Sequence, residues 1–142
     1  MASAGLDEVI RSSEVIVRSG RYAYLKAGPP ADRGEPVELG AHFLVARDAD
    51  EITVVTEEAN LGALDLADAV KWFRLIEIRV SQPFAAPGFI ARVTRAIADR
   101  GLNVLAVSTF SKDYFLVREE STDTAVAALR DVGFPVSAEE SP

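Results

Sequence analysis

Residue types that could do covalent or metal chemistry are nearly absent from this sequence. Cysteine does not occur among the 142 residues, which excludes disulfides, thiol nucleophiles, zinc–thiolate sites and iron–sulfur ligation together. His42 is the single histidine, so a multi-histidine metal centre within one chain is excluded, and no local motif gives it triad companions. A phosphate loop of the G-x-x-x-x-G-K type and a G-x-S-x-G elbow are both missing. No pair of carboxylates is placed around an obvious cleft, and an enzyme would have to be built from Asp, Glu, Lys and Tyr alone. The sequence therefore predicts no catalytic residue, no metal site and no cofactor.

What remains suits non-covalent binding. Gly88 follows Pro87 at the head of an amphipathic stretch, Ser108, Thr109 and Asp113 cluster around a short turn, and Glu51 opens another apolar run. Each has a plainer structural reading. A glycine after proline shapes a loop, an aspartate at a strand start caps a turn, and hydroxyls close hairpins by bonding to backbone. Trp72 and Phe73 read as packing residues just ahead of a strand, His42 as a surface or packing residue, and Arg92, Arg95 and Arg100 as a solvated helix face.

Composition bounds the class. Hydrophobic residues at 49% and charged residues at 26% match a folded globular chain. At this length about 68–70% of the unfolded surface can be buried, enough for a core without cross-links. Fifteen basic against 22 acidic residues leave a net charge of −7, which argues against a nucleic-acid binder and against docking on anionic lipid. No apolar run approaches ~20 residues, and Met1–Arg11 lacks the pattern of a signal peptide. The expectation is a soluble, cytoplasmic protein.

The elements that must position these residues are clearest in the C-terminal half. Leu75–Ser81 alternates with period two and is rich in β-branched residues, so it predicts a strand. Gln82–Gly88 holds two prolines and a glycine and predicts a loop. Phe89, Ile90, Val93, Ile97 and Ala98 recur at helical spacing, with Gly101 placed for a left-handed C-terminal cap. Leu102–Thr109 is almost wholly apolar and predicts an interior strand, and Asp113–Glu119 a third strand. A second helix follows Ser121–Asp123 along Ala125, Val126, Leu129 and Val132, ended by Gly133. Phe134–Ser137 makes a last strand that Pro135 confines to a sheet edge. The order βαββαβ is that of a ferredoxin-like sandwich, four antiparallel strands with both helices on one face. Its other face wants a partner, which the N-terminal half is expected to supply.

In that half, Ser13–Arg18 and Arg21–Ala27 predict strands with a turn at Ser19–Gly20, and His42–Arg47 with Glu51–Glu57 a hairpin. Gly28–Gly40 is too rich in proline and glycine for a full helix. Leu61–Val70 reads as a short helix or an ordered linker. The segment Glu51–Glu58 aligns without gaps on Asp113–Glu120, sharing an acidic first residue, an apolar strand, a valine (Val55, Val117) and a Glu-Glu exit. The halves therefore read as related modules, residues 12–71 and 72–138, the first with its first helix shortened or missing.

Gly88-Phe-Ile-Ala-Arg-Val, followed by the run from Gly101 to Glu120, resembles the C-terminal module of small bacterial tandem ACT-domain proteins. These are similar to the regulatory modules of aspartate kinase and to CASTOR-type arginine sensors. Gly88, Ile90, Gly101, Ser108, Thr109, Asp113, Tyr114, Leu116 and Val117 match the family pattern. Ala85-Ala86-Pro87 and Asn103 depart from it close to the expected site. The resemblance covers Trp72–Val136 well and Tyr22–Glu58 weakly. It implies an α+β fold of two ferredoxin-like ACT-type modules and a regulatory protein that binds a free amino acid at the seam between them. The helix start at Pro87, Gly88, Phe89 and Ile90 would offer main-chain N–H groups to an α-carboxylate. Ser108, Thr109 and Asp113 would receive the α-ammonium, Glu51 would be the counterpart of Asp113, and Phe84 would lid the pocket. The partners implied are the amino acid, a second copy in a homodimer and a metabolic enzyme; the other reading is a protein–protein module with a vestigial pocket.

Overall fold

The computed structural model describes residues 2–26, 42–62, 68–80 and 87–139. They divide into two compact units, Gly20–Phe73 and the combination of Met1–Ser19 with Arg74–Pro142. Strand β5 (Ala69–Arg79) contributes its first residues to one unit and the rest to the other. It starts well before the predicted Leu75, so Trp72 and Phe73 lie within a strand instead of ahead of one.

The smaller unit contains β2 (Tyr22–Lys26), β3 (Leu44–Arg47) and β4 (Ile52–Glu57), in the spatial order β3-β4-β2-β5. Both β4 and the first residues of β5 run antiparallel to β2. Ala23, Leu25, Ile52 and Val54 form its buried core, with Val45, Leu61 and Trp72 packed against them. The Arg21 guanidinium lies over the Trp72 ring, 4.3 Å from its centroid. His42 Nδ1 and the buried Thr56 hydroxyl are 2.9 Å apart, a packing role for the lone histidine. The Pro-Gly segment Gly28–Gly40, where a helix was expected to be short or missing, and half of Leu61–Val70 lie outside the described residues.

The larger unit begins with α1 (Ala2–Ser12), an element that the sequence reading leaves unassigned. Leu6, Val9 and Ile10 fall at helical spacing and pack on the main core. Then come β1 (Glu14–Val17), the second part of β5, α2 (Phe89–Ala98), β6 (Leu105–Ser108), β7 (Lys112–Arg118), α3 (Thr122–Asp131) and β8 (Val136–Ala138). The predicted order βαββαβ is present from β5 to β8. Two features of the pairing differ from the prediction. Strand β6 pairs only with β7 among the described residues, so it lies at an edge, not in the interior. Its alternating half-buried and exposed residues show why: an apolar run fixes neither the number nor the side of its neighbours.

The second difference concerns the slot between first and last strands. The four-stranded antiparallel sheet predicted for this module would set β8 beside β5, but β1 stands between them, antiparallel to β5 and parallel to β8. Residues 14–17, read as part of the first module, thus complete the sheet of the second. The register puts Val15 opposite Ile78 and Val17 opposite Ile76. All four side chains join Phe115, Val117, Val93, Ile97 and Leu129 in one buried core beneath the helices.

On the opposite face, Ile16 pairs with Glu77, whose side chain is buried. The Glu77 carboxylate is satisfied by two arginines, with Arg18 Nη1 at 2.6 Å and Arg79 Nε at 2.5 Å. Arg18 also donates from Nε to Glu139 Oε2 at 3.0 Å. Glu139, just after β8, accepts from the backbone N–H and hydroxyl of Ser19 as well. Burial pushes the Glu77 carboxyl up, yet the hydrogen bonds from Arg79 and Arg18 outweigh it and hold the group below the ordinary carboxylate range. Glu139 is lowered by the Ser19 N–H and then by Arg18.

Since both carboxyls have folded pKa values below their unfolded ones, their stabilisation is complete above the ordinary carboxylate range. It is lost as pH falls through the folded values. Glu77→Gln is predicted to cost about 1–3 kcal/mol at neutral pH. That is less than the ~3–5 of a fully buried broken pair, because the Arg18 and Arg79 side chains remain 35% and 46% exposed. Urea denaturation at about pH 7 and about pH 3 checks this: the difference from wild type should shrink at the lower pH.

Candidate functional site

Helix α2 starts at Gly88, whose φ of +88° and ψ of −1° place it in the left-handed region that glycine enters without strain. Gly88, at the N-cap position, has no side chain with which to cap this end, and the first turn carries no acidic residue. The N–H groups of Phe89, Ile90 and Ala91 have no acceptor within the helix itself, and the first intrahelical bond runs from Arg92 N–H to Gly88 C=O at 2.9 Å. The helix's own first turn therefore offers no carboxylate to offset the positive end of its dipole, an arrangement that favours an anion.

The predicted site residues fall into four groups. Pro87, Gly88 and Ile90 are exposed at the helix start, Ile90 by 43%. Phe89 turns its ring into the core, edge-on to Phe134 with centroids 5.7 Å apart, so its side chain packs while only its main chain faces the helix end. Ser108 donates its hydroxyl to Asp113 Oδ1 at 2.6 Å, across the register pair that joins β6 to β7. The Asp113 side chain is largely buried, and its second oxygen retains acceptor capacity. Thr109 closes the hairpin turn, its N–H bonding to Lys112 C=O at 2.9 Å. Glu51, in the smaller unit, belongs to the β3–β4 turn, where its N–H donates to Asp48 Oδ1 at 2.9 Å. Phe84 lies outside the described residues.

The βαββ order carries the chain from the end of β5 into α2 and back along β6. The Ser108–Asp113 pair therefore stands at the same end of the sheet as the start of α2. The hairpin carries a carboxylate at this end and the helix start carries main-chain N–H groups, while the groove beside Gly88 is not lined by Ser108, Thr109 or Asp113.

Helix α1 adds residues that sequence reasoning missed. Leu6 reaches the helix start so closely that a Cβ on Gly88 would sit 3.4 Å from Leu6 Cδ2. Asp7 accepts from Arg92 Nη1 at 3.0 Å, tying α1 to α2. An open groove of about 700 Å³ runs along α2, lined by Leu6, Gly88, Ala91, Arg95, Leu102 and Asn103. The spacing of Leu6, Val9 and Ile10 was the available signal for this helix, but nothing local says onto which surface it folds.

Residues 70–131 match the family model of the ACT domain. Among curated proteins, none matches this sequence. A Vibrio cholerae protein of unknown function, described as a possible transport protein, superposes with a TM-score of 0.74 at 20% identity, covering 94% of this chain and 99% of its own. The ligand-free regulatory subunit of aspartate kinase from Thermus thermophilus gives 0.60 at 11% identity, over 87% and 97%. The aspartate kinase of Clostridium acetobutylicum gives 0.59 at 10%, over 84% of this chain and 33% of the enzyme. The resemblance carried by Gly88–Glu120 and the tandem ferredoxin-like, ACT-type fold are thus borne out.

Alanine at position 88 would have to hold a positive φ, while its Cβ would meet Leu6 only at contact distance. We predict that Gly88→Ala destabilises the fold by about 1–2 kcal/mol, read as a lower urea midpoint with unchanged slope.

Proposed function

We propose that this protein is a regulatory amino-acid sensor, not an enzyme, and that it binds a small free amino acid without covalent chemistry. The observation that carries this reading is the glycine-started end of α2 on the same end of the sheet as the Ser108–Asp113 pair. The α-carboxylate would take the main-chain N–H groups after Gly88, and Asp113, held by Ser108, would accept from the α-ammonium. The ACT-domain match over 70–131 and the likeness to aspartate kinase regulatory subunits support a regulatory role of this kind.

The working form is a cytoplasmic homodimer. Strand β6 keeps an edge that no described strand pairs, and an open edge is a template for pairing with a second chain. A second reading, a protein–protein module that regulates a metabolic enzyme, is favoured by Phe110, 83% exposed at the β6–β7 turn.

A screen of the twenty amino acids by thermal shift separates the two. One of them at 100-fold its Kd should stabilise the protein by about 2.7 kcal/mol. Asp113→Asn should weaken that binding by about tenfold or more while the protein stays folded by circular dichroism. Silence towards all twenty would sink the sensor reading and leave the interaction module.

A further inference from the structure

A separate cleft lies in the larger unit between α3 and the end strand β8. It measures about 300 Å³ and is lined by Arg74, Arg130, Thr122 and Asp123, with an aliphatic wall of Val17, Val126, Val136 and Ala138. Arg74 opens this unit's part of β5, whereas Gly88 follows the far end of that strand, so the cleft is remote from the amino-acid site.

Arg74 is out of place by the logic of its strand. Its side chain shares the face of Ile76 and Ile78, which are core residues under the helices. Nη2 donates to Arg18 C=O at 2.9 Å, and Nε is buried with no acceptor among the described residues. Because Nε is closed off from solvent, a ligand in the cleft meets the rest of the guanidinium, whose charge still favours an anionic partner. Arg130 gives one bond, from Nη2 to Val136 C=O at 3.0 Å, and has four further donors. Two guanidiniums against the single carboxylate of Asp123 make the cleft locally positive in a chain of net charge −7.

We propose that this cleft binds a small carboxylate with an aliphatic body. The planar oxyanion would lie between the solvent-facing side of the Arg74 guanidinium and the remaining donors of Arg130, while its methyl groups lie on the valine wall. A bare phosphate satisfies the cations but leaves the wall wet. A neutral isostere fills the wall but leaves the guanidinium charge unbalanced. The volume matches the lower end of small-molecule sites.

The test titrates the full-length protein with isovalerate, isovaleramide and inorganic phosphate, following amide resonances by NMR. Isovalerate should shift Val126, Val136, Ser137 and Ala138 with a Kd of about 1 mM or tighter. Isovaleramide and phosphate should each bind at least about tenfold more weakly, and so should isovalerate to Arg74→Gln. Should that variant fail to fold, the three ligands on the wild-type protein decide by themselves. Equal affinity for isovalerate and its amide, equal affinity for phosphate, or no shift up to about 20 mM isovalerate overturns the proposal. Isovalerate has no ammonium group, so this result stands apart from the amino-acid reading.

Discussion

The larger unit depends on how the slot between β5 and β8 is filled. In the chain order of this module those strands would be neighbours, yet β1 separates them and satisfies the backbone groups of both. The side chains make the insertion specific. Val15 and Val17 complete the apolar layer with Ile76 and Ile78, while the other face must accommodate the buried Glu77. A buried carboxylate is tolerable only with its lone pairs filled. Arg18, at the end of β1, supplies one donor and continues to Glu139 beyond β8. One charge network therefore runs across three strands, and a one-residue slip of β1 would exchange the valines for Ile16 and expose the pair.

Helix α1 is tied to the same arrangement. Because β1 starts two residues after α1 ends, fixing the strand fixes the helix. Leu6 then reaches Gly88 and Asp7 reaches Arg92. The start of α2 is thus walled partly by a segment more than eighty residues earlier in the chain. A helix whose N-cap residue has no side chain is thus kept in place by packing from α1.

The two units repeat one scheme at different completeness. The order β3-β4-β2 in one corresponds to β6-β7-β5 in the other, and each long hairpin strand ends in a single 3-10 turn, Glu58–Asn60 after β4 and Glu119–Ser121 after β7. The matching Glu51–Glu58 and Asp113–Glu120 segments are these strand-and-turn pieces. Their acidic first residues have diverged in use. Asp113 is buried and held by Ser108, while Glu51 serves a turn organised by Asp48.

Sequence alone determined what short-range physics controls. The spacing of Phe89, Val93 and Ile97, the glycines at 88 and 101, and the apolar runs of β4 and β7 each define an element through contacts a few residues apart, so these were legible. So was the Ser108–Asp113 pair, brought together by its own hairpin. Tertiary structure decided the rest: β1 between β5 and β8, β6 at an edge, the Phe89 ring against Phe134 and Leu6 over Gly88. It also set Arg74 and Arg130 together along one cleft. Each of these depends on which distant segments meet. Strand pairing is set by the total burial and hydrogen bonding of a whole sheet, a quantity that no window of the sequence contains.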